Sequence, residues 1–583
     1  MKIQRITKKQ KKLTTAPNLK NYGEARRTFS WKDAEKEINF FDGKLNAAYI
    51  AIERNAKNWR KNKVALYWRG AEGEEEKFTF AELDALANRF ANVLHAVGAN
   101  RGDRVFFFLT RVPELYYGFL GALKRGAIAG TLFAAFSGEG LKDRLGNSAA
   151  KVLVTDPELL KRVAEVASEL PDLKTILVSG DPKRVAKLKI RGKKVFSLSR
   201  FLEQQSEEYN TRFVKPEEPA FMLYTSGTTG MPKGVMHAHR AILLEHVTAK
   251  YVLDLKEDDV YWCTADPGWV TGIAYEILGS WSNGASTVVF NGRFSPDAWY
   301  KVIEDYKVTV WYTAPTAIRM LEAAGEEIAR KYDLSSLRHL ATVGEPLNPE
   351  PIRWGLKAFG LPFHDNWWQT ETGGILIANY PSMDIKLGSM GKPIPGVTAD
   401  IVGDGGKVLG PNKEGNLAIK PGWPSMMIKI WRRPKKYASY FEHGWYITGD
   451  RAYKDNDGYF WFVGRADDVI KTAGERVGPF EVESALVEHP DIVEAGVIGK
   501  PDPVRGEIVK AFVKLRQGKK GTAALITEIQ KFVKKHLAGH AYPREIEFVE
   551  TLPKTRSGKI LRRMLKAREL GLPVGDTSTL EEY

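Results

Sequence analysis

Apolar residues recur along this chain in two rhythms, and the rhythms alternate. Residues 78–98, FTFAELDALANRFANVLHAVG, carry them at helical spacing and stop at Gly98, which predicts an amphipathic helix with a glycine terminator. RVFFFL at 104–109 is an unbroken apolar run, short enough for a buried strand. KVLVTD (151–156), KTILVSG (174–180), VTVWYTAP (308–315) and LRHLATVGEP (337–346) repeat the strand-then-turn pattern. Strands alternating with helices predict an α/β architecture built on parallel sheets. No fixed-period repeat and no low-complexity tract interrupts it.

The texture changes after about residue 395. PIPGVTADIVGDGGKVLGPNKEGNLAIK (393–420) alternates apolar residues with glycine-rich turns, a pattern of antiparallel strands. GRADD (464–468) reads as a turn between two bodies. Beyond it, EVESALVEHP reads as a helix, VEAGVIG and VKAFVKL as strands, and LITEIQKFVKKHLA (525–538) as an amphipathic helix. Three segments are therefore expected: a loosely structured basic lead-in over 1–30, a large domain over 31–466, and a small α+β domain over 467–583. At roughly 150 residues per domain, 583 residues accommodate these units.

Composition narrows the classes. A hydrophobic fraction of 43% and a charged fraction of 27% are those of a soluble globular protein and exclude a disordered chain or a collagen-like fibre. The lone cysteine, Cys263, leaves no intrachain disulfide and no thiolate zinc cage, in keeping with a reducing cytosol. MKIQRITKKQKKLTT is basic but lacks the apolar stretch of a secretory signal. Val105 to Phe136 is broken by Arg111, Glu114, Lys124 and Arg125, short of the about 18 apolar residues of a membrane helix. A soluble, cytoplasmic protein is expected. The net charge of +16 raises nucleic acid as a partner. The Lys and Arg are spread along the whole chain, with no recognisable reading module, so anionic small substrates account for the charge as well.

Six segments carry candidate chemistry. YTSGTTGMPKG (224–234) holds three glycines, four Ser or Thr hydroxyls and Lys233, a composition suited to wrapping phosphates. It is not a Walker loop: Pro232 falls where the second glycine is required, and Gly234 follows the lysine. HDNWWQTETGG (364–374) offers Glu371, a hard oxygen ligand suited to Mg²⁺. GEPLNP (344–349) ends a strand-like run, where α/β proteins bind nucleotides. YITGDRA (446–452) offers Asp450 to a ribose. GRADDVIKTAGERVGPFEVE (464–483) and LPKTRSGKILRR (552–563) complete the set.

In this order and spacing the segments resemble the adenylate-forming superfamily of acyl-CoA synthetases, luciferases and peptide-synthetase adenylation domains, from about residue 20 to the end. WWQTETGG, DPGWVTG (266–272), YTAPTAIR (312–319), VGEPLNP and LPKTRSGK are most similar to the acetyl-CoA-forming branch. The resemblance implies a large N-terminal domain of layered α/β and β-barrel parts with a small mobile C-terminal domain. It also implies an AMP-forming ligation of acetate to coenzyme A, using ATP and Mg²⁺, through acetyl-AMP. A propionyl- or other short- or medium-chain acyl-CoA synthetase of the same fold is the alternative.

Roles follow by resemblance, position by position. Thr225, Ser226, Gly227, Thr228, Thr229 and Lys233 would hold the β- and γ-phosphates. Gly344, Glu345 and Pro346 would line the adenine site, beside Asp365, Asn366, Trp367 and Gln369. Thr370 would touch the α-phosphate and Glu371 would hold Mg²⁺. Asp450 and Arg465 would grip the ribose, and Arg476 the phosphate. Lys559 would bridge the carboxylate and the α-phosphate, and relatives are switched off when the matching lysine is acylated, which implies an acetyltransferase and deacetylase as partners. Asp467 would be the hinge. Ala473, Gly474, Thr271 and Lys534 would meet coenzyme A, with Lys161 and Arg162 as nearby candidates for its 3′-phosphate. Val270, Thr271, Val343 and Trp368 would shape the acyl pocket, the indole closing it after about two or three carbons. In some relatives a histidine matching His489 helps bind a structural cation, although a surface histidine is the plainer expectation here.

Overall fold

The computed structural model describes residues 5–8, 15–38, 40, 43–225, 232–472, 475–537, 541–554 and 560–574. Two large sheets dominate. The first has eight strands in the order Lys429–Ile430, Lys233–Ala238, Pro219–Thr225, Ile128–Leu132, Arg104–Phe108, Val152–Thr155, Thr175–Val178 and Lys194–Ser197. Its pairings from Pro219–Thr225 through Lys194–Ser197 are parallel. The second has seven strands: Phe363–His364, His339–Thr342, Val310–Thr313, Val260–Cys263, Ser286–Phe290, Val64–Arg69 and Glu75–Thr79. All are parallel except the last pairing. The apolar runs picked out in the sequence are these strands, buried on both faces as parallel strands require.

Helices cover the sheets. The pattern at 78–98 folds as Phe80–Ala96, started by a reciprocal capping box: Glu82 N–H donates to Thr79 Oγ1 at 3.2 Å and Thr79 N–H to Glu82 Oε2 at 2.8 Å. It packs on Pro113–Arg125. A Cβ at Gly121 would lie 2.5 Å from the Ala87 carbonyl oxygen, so only glycine allows the two helices this close.

Antiparallel strands Ala399–Val402, Gly415–Ile419, Phe441–Glu442, Trp445–Lys454 and Phe460–Arg465 form a further sheet. Asp467 lies in the turn that follows it, before Ile470–Thr472 opens the C-terminal sheet. That sheet centres on Gly506–Leu515, paired to Ile492–Asp502 and, in parallel, to Glu545–Phe548. Helices Pro479–Val487 and Ala523–His536 bury Val482, Leu486, Ile529 and Val533 against it.

The described part of the N-terminal segment, residues 5–8 and 15–30, is more ordered than expected. Arg5–Ile6 pairs antiparallel with Ile385–Lys386. Leu19 is 2% exposed. Tyr22–Thr28 is a helix capped by Asn21, and Arg26 donates to the Ile394 carbonyl at 3.0 Å. Isolated apolar residues among lysines give no periodicity to read, yet Ile6, Leu19 and Tyr22 pack against the large domain.

Candidate active site

One cleft of about 2060 Å³ runs between the large domain and the C-terminal elements. Its floor is built by topology. Thr264 to Asp266 follow strand Val260–Cys263, Asn291 follows Ser286–Phe290, Ala314 follows Val310–Thr313, Val343 to Glu345 follow His339–Thr342, and Asp365 follows Phe363–His364. All stand just past the carboxyl ends of parallel strands, where open α/β sheets bind ligands.

The WWQTETGG segment forms one wall. Asn366–Trp367 is a short strand, Thr370–Thr372 a single tight turn, and Gly373, at φ 69°, ends it. A Cβ there would meet the Ser425 carbonyl oxygen at 2.3 Å and His237 Nδ1 at 2.8 Å, which demands glycine twice over. The turn presents Glu371 to Lys233, with Nζ 3.3 Å from Oε1. Tyr440 links the two: its hydroxyl accepts from Lys233 Nζ at 2.7 Å and donates to Glu371 Oε1 at 3.1 Å. Burial opposes ionisation of Glu371, but the Lys233 ammonium and these hydrogen bonds outweigh it and hold the carboxyl below its ordinary range.

A second polar centre surrounds Asp450, which is 4% exposed. Trp367 Nε1 and Gln369 Nε2 donate to its Oδ2 at 2.9 and 3.0 Å, and Arg465 Nη1 donates to Oδ1 at 3.1 Å. Tyr446 donates to Gln369 Oε1 at 2.9 Å. Arg465 also approaches Asp467, at 3.5 Å. Burial works against the guanidinium, yet the facing carboxylates of Asp450 and Asp467 raise its pKa above the ordinary arginine value. Asp365 is held by Thr342 Oγ1 and by the Asn366 N–H. Burial pushes its carboxyl up to about 7. Glu345 accepts from Thr316 and Arg319, both at 2.7 Å.

The third region is apolar. Val270, Thr271 and Val343 are each 7% exposed or less, and with Trp368 they line the cleft.

Most of the expected site residues converge here: Thr225, Lys233, Gly344, Glu345, Pro346, Asp365, Asn366, Trp367, Trp368, Gln369, Thr370, Glu371, Asp450, Arg465, Asp467, Val270, Thr271 and Val343 all line this one cleft. Others do not. Arg476 is exposed on strand Glu475–Val477, outside the cleft lining. Lys534 is exposed near the end of its helix, above the Tyr542 ring. Lys161 pairs with Glu158 at 2.5 Å, and Arg162 donates to the Ala134 carbonyl at 2.7 Å. His489 is not a surface histidine: it is 2% exposed, because its ring packs on Phe532 and its Nδ1 accepts from the Asp491 N–H. No group of three or more His, Cys, Asp or Glu side chains able to hold a metal ion occurs among the described residues.

Ser226, Gly227, Thr228, Thr229, Ala473, Gly474 and Lys559 lie outside the described residues. Their flanks are informative. Thr225 pairs with Lys233 on either side of 226–231, and Lys554 pairs with Ile560 on either side of 555–559. All four flanking residues line the cleft. Motif reading missed Tyr440, Tyr446 and the bidentate pairs Arg562–Glu483 and Lys554–Glu494. Tyr446 and Asp450 belong to one strand, Trp445–Lys454, and both reach Gln369, but the register shift and the left-handed Gly449 between them hide this from strand alternation.

Known proteins share this arrangement. A family model described as "AMP-binding enzyme" matches residues 52–429, and one described as "AMP-binding enzyme C-terminal domain" matches 481–559. The chain belongs to the AMP-binding enzyme family. Within that family it is 58% identical over 568 residues to the acetyl-coenzyme A synthetase of Bacillus subtilis, covering 97% of this chain and 98% of the relative. It is 42% identical to the acetyl-coenzyme A synthetase of Methanothrix thermoacetophila, covering 93% and 85%. Among solved structures it resembles an anthranilate CoA ligase in complex with anthranoyl-AMP, at a TM-score of 0.84 and 31% identity, covering 93% and 99%. It also resembles an acyl-CoA synthetase of Brucella canis, at 0.74 and 36%, covering 95% and 99%. The fold is the adenylate-forming one, with a large N-terminal and a smaller C-terminal part. No described helix is long and apolar enough to cross a membrane.

Proposed function

We propose that this chain ligates acetate to coenzyme A in two half-reactions. In the first, an acetate oxygen attacks the α-phosphorus of ATP, the bond to pyrophosphate breaks, and acetyl-AMP forms. In the second, the thiolate of coenzyme A attacks the acetyl carbonyl and the carbonyl–oxygen bond to AMP breaks. A carboxylate is a poor electrophile, and the adenylate supplies the leaving group it lacks. The observation that carries this reading is the meeting, in one cleft, of a phosphate-type end at Lys233 and Glu371, a ribose-type end at Asp450 and Arg465, and a small apolar end at Val270, Val343 and Trp368. The relatives named acetyl-coenzyme A synthetase support the same acid.

The residues divide the work by charge. Lys233, with Ser226 to Thr229, neutralises the departing pyrophosphate, a role suited to a fixed cation in a partly dry cleft. Glu371 is ionised and exposes hard oxygens, which fits Mg²⁺ arriving with ATP, since Mg²⁺ is commonly held by one or two carboxylates together with substrate phosphates. Asp450 and Arg465 orient the ribose. Lys559 bridges acetate and α-phosphate in the first step only. Rotation about Asp467 then exchanges it for the 473–474 segment, which receives coenzyme A. Val270, Thr271 and Val343 enclose the acetate methyl, and the Trp368 indole ends the pocket. Acetylation of Lys559 by a partner acetyltransferase would remove the charge the first step needs. The enzyme is placed in the cytoplasm in this reading.

Partial reactions test it. Lys559→Ala abolishes acetate-dependent exchange between ATP and labelled pyrophosphate while keeping thioester formation from supplied acetyl-AMP. Full exchange in that variant would remove Lys559 from the first step. Chemical acetylation of Lys559 reproduces the same split if the lysine is a regulatory point.

A further inference from the structure

Trp368 cannot fix the depth of a pocket unless something fixes Trp368. The structure assigns that task to Tyr275, as a positioning residue that braces the indole from behind and so sets acyl-chain selectivity. The inference rests on the reading of Trp368 as the end wall.

Tyr275 is fully buried, and its ring meets the indole edge to face, centroids 5.2 Å apart and planes at 85°. A second ring, Tyr312, also packs edge-on against Tyr275, 5.9 Å away at 87°. Such edge contacts are directional and hold a ring against sliding. The hydroxyl is fixed as well. It accepts from the Ile375 N–H at 2.7 Å. It also lies 2.8 Å from Thr248 Oγ1, whose own proton goes to the Leu244 carbonyl at 2.7 Å. Tyr275 is therefore the donor to Thr248, and its donor and an acceptor site are both used. One side chain thus holds the motif segment at two points, the indole of residue 368 and the backbone of residue 375. Gly374 leaves it room, since a Cβ there would lie 3.1 Å from the Tyr275 oxygen and 2.4 Å from Leu244.

The element that carries Tyr275 ties the brace to the pocket's other wall. Residues Gly272–Gly279 form a π-helical stretch that begins directly after Val270 and Thr271. Wide turns of this kind recur at functional sites. Here the stretch starts next to two cleft-lining residues and reaches Tyr275 within its first turn. Val270 and Thr271, which line the cleft, and the indole of Trp368 therefore all adjoin one element, and a shift of the indole toward Tyr275 requires that ring to move.

The test compares kcat/KM for butyrate with that for acetate in three variants, with the KM for ATP as a control. Tyr275→Leu removes the ring edge and raises the butyrate-to-acetate ratio by about tenfold, leaving the KM for ATP within about twofold of the unmodified enzyme. Tyr275→Phe keeps the ring, releases Ile375 and Thr248, and gives a smaller rise of the same sign, which keeps the idea testable if the leucine variant does not fold. An equal loss with every acid, the ratio unchanged, would mark Tyr275 as merely structural and overturn the inference. Trp368→Gly separates the two levels. A shifted ratio there with none at Tyr275 rejects the brace alone, whereas no shift in either rejects the pocket reading and the brace together.

Discussion

The two ends of the cleft are held by different physics. At the ribose-type end, the Asp450 carboxylate collects donors from Trp367 and Gln369 of the motif wall and from Arg465 of strand Phe460–Arg465. At the acyl end, Trp368, Tyr275, Val270 and Val343 meet through ring edges and methyl groups. A hydrogen-bonded centre fails abruptly, because every partner removed leaves another buried group unpaired. A packed wall fails gradually, because neighbouring side chains partly fill the space. The first should control whether nucleotide binds at all, and the second only which acid is accepted.

Asp450→Ala breaks that comparison hardest. Loss of its charge-assisted hydrogen bonds is expected to lower kcat/KM for ATP by about 100-fold, with the ratio among acids unchanged in steady-state assays. A changed acid ratio would mean the two ends are not independent. Trp368→Gly acts on the other end: kcat/KM for butyrate rises and that for acetate falls, each by about tenfold, while the KM for ATP holds. Gly373→Ala lies between them. Its Cβ would press on the Ser425 carbonyl oxygen at 2.3 Å in a left-handed backbone at φ 69°, which should cost about 2 kcal/mol in thermal unfolding and impair both ends together. Unfolding that matches the unmodified protein would refute the close contact.

The smallest effect is a pH dependence beneath the acyl end. Glu276 is fully buried, accepts from the Tyr116 hydroxyl at 3.0 Å, and has its carboxyl pushed up to about 8 by burial, an effect Arg111 only partly offsets. The folded pKa lies above the unfolded value of about 4.3. Its contribution is therefore fully present below that value and is lost as pH rises through about 8. Glu276→Gln should remove this loss, so the melting temperature of the variant minus that of the unmodified protein increases from pH 5 to pH 9. A flat difference would contradict the buried-acid assignment.

How much of this was legible in the sequence depended on the kind of signal. Long apolar runs such as 104–109 marked the parallel strands, because burial on both faces leaves little else. The polar motifs marked the nucleotide wall, because Gly373 and Asp450 have few replacements that satisfy the same geometry. Tyr275, Tyr440 and Glu276 gave no such signal. They belong to no recognisable motif, and only tertiary packing brings Tyr440 to the cleft and buries Tyr275 and Glu276 behind its wall. The order of the described N-terminal residues was hidden for the same reason: Leu19, Tyr22 and Arg26 act singly, Tyr22 and Arg26 through contacts hundreds of residues away.

The central claim is that one cleft joins adenylation to a short acid. Its most direct test is the release of AMP and pyrophosphate by the purified protein with ATP, Mg²⁺ and coenzyme A, across formate, acetate, propionate, butyrate and hexanoate. Turnover with acetate that falls sharply beyond propionate is the predicted result. Turnover that rises toward hexanoate, or none with any of these acids, would contradict a pocket closed by Trp368.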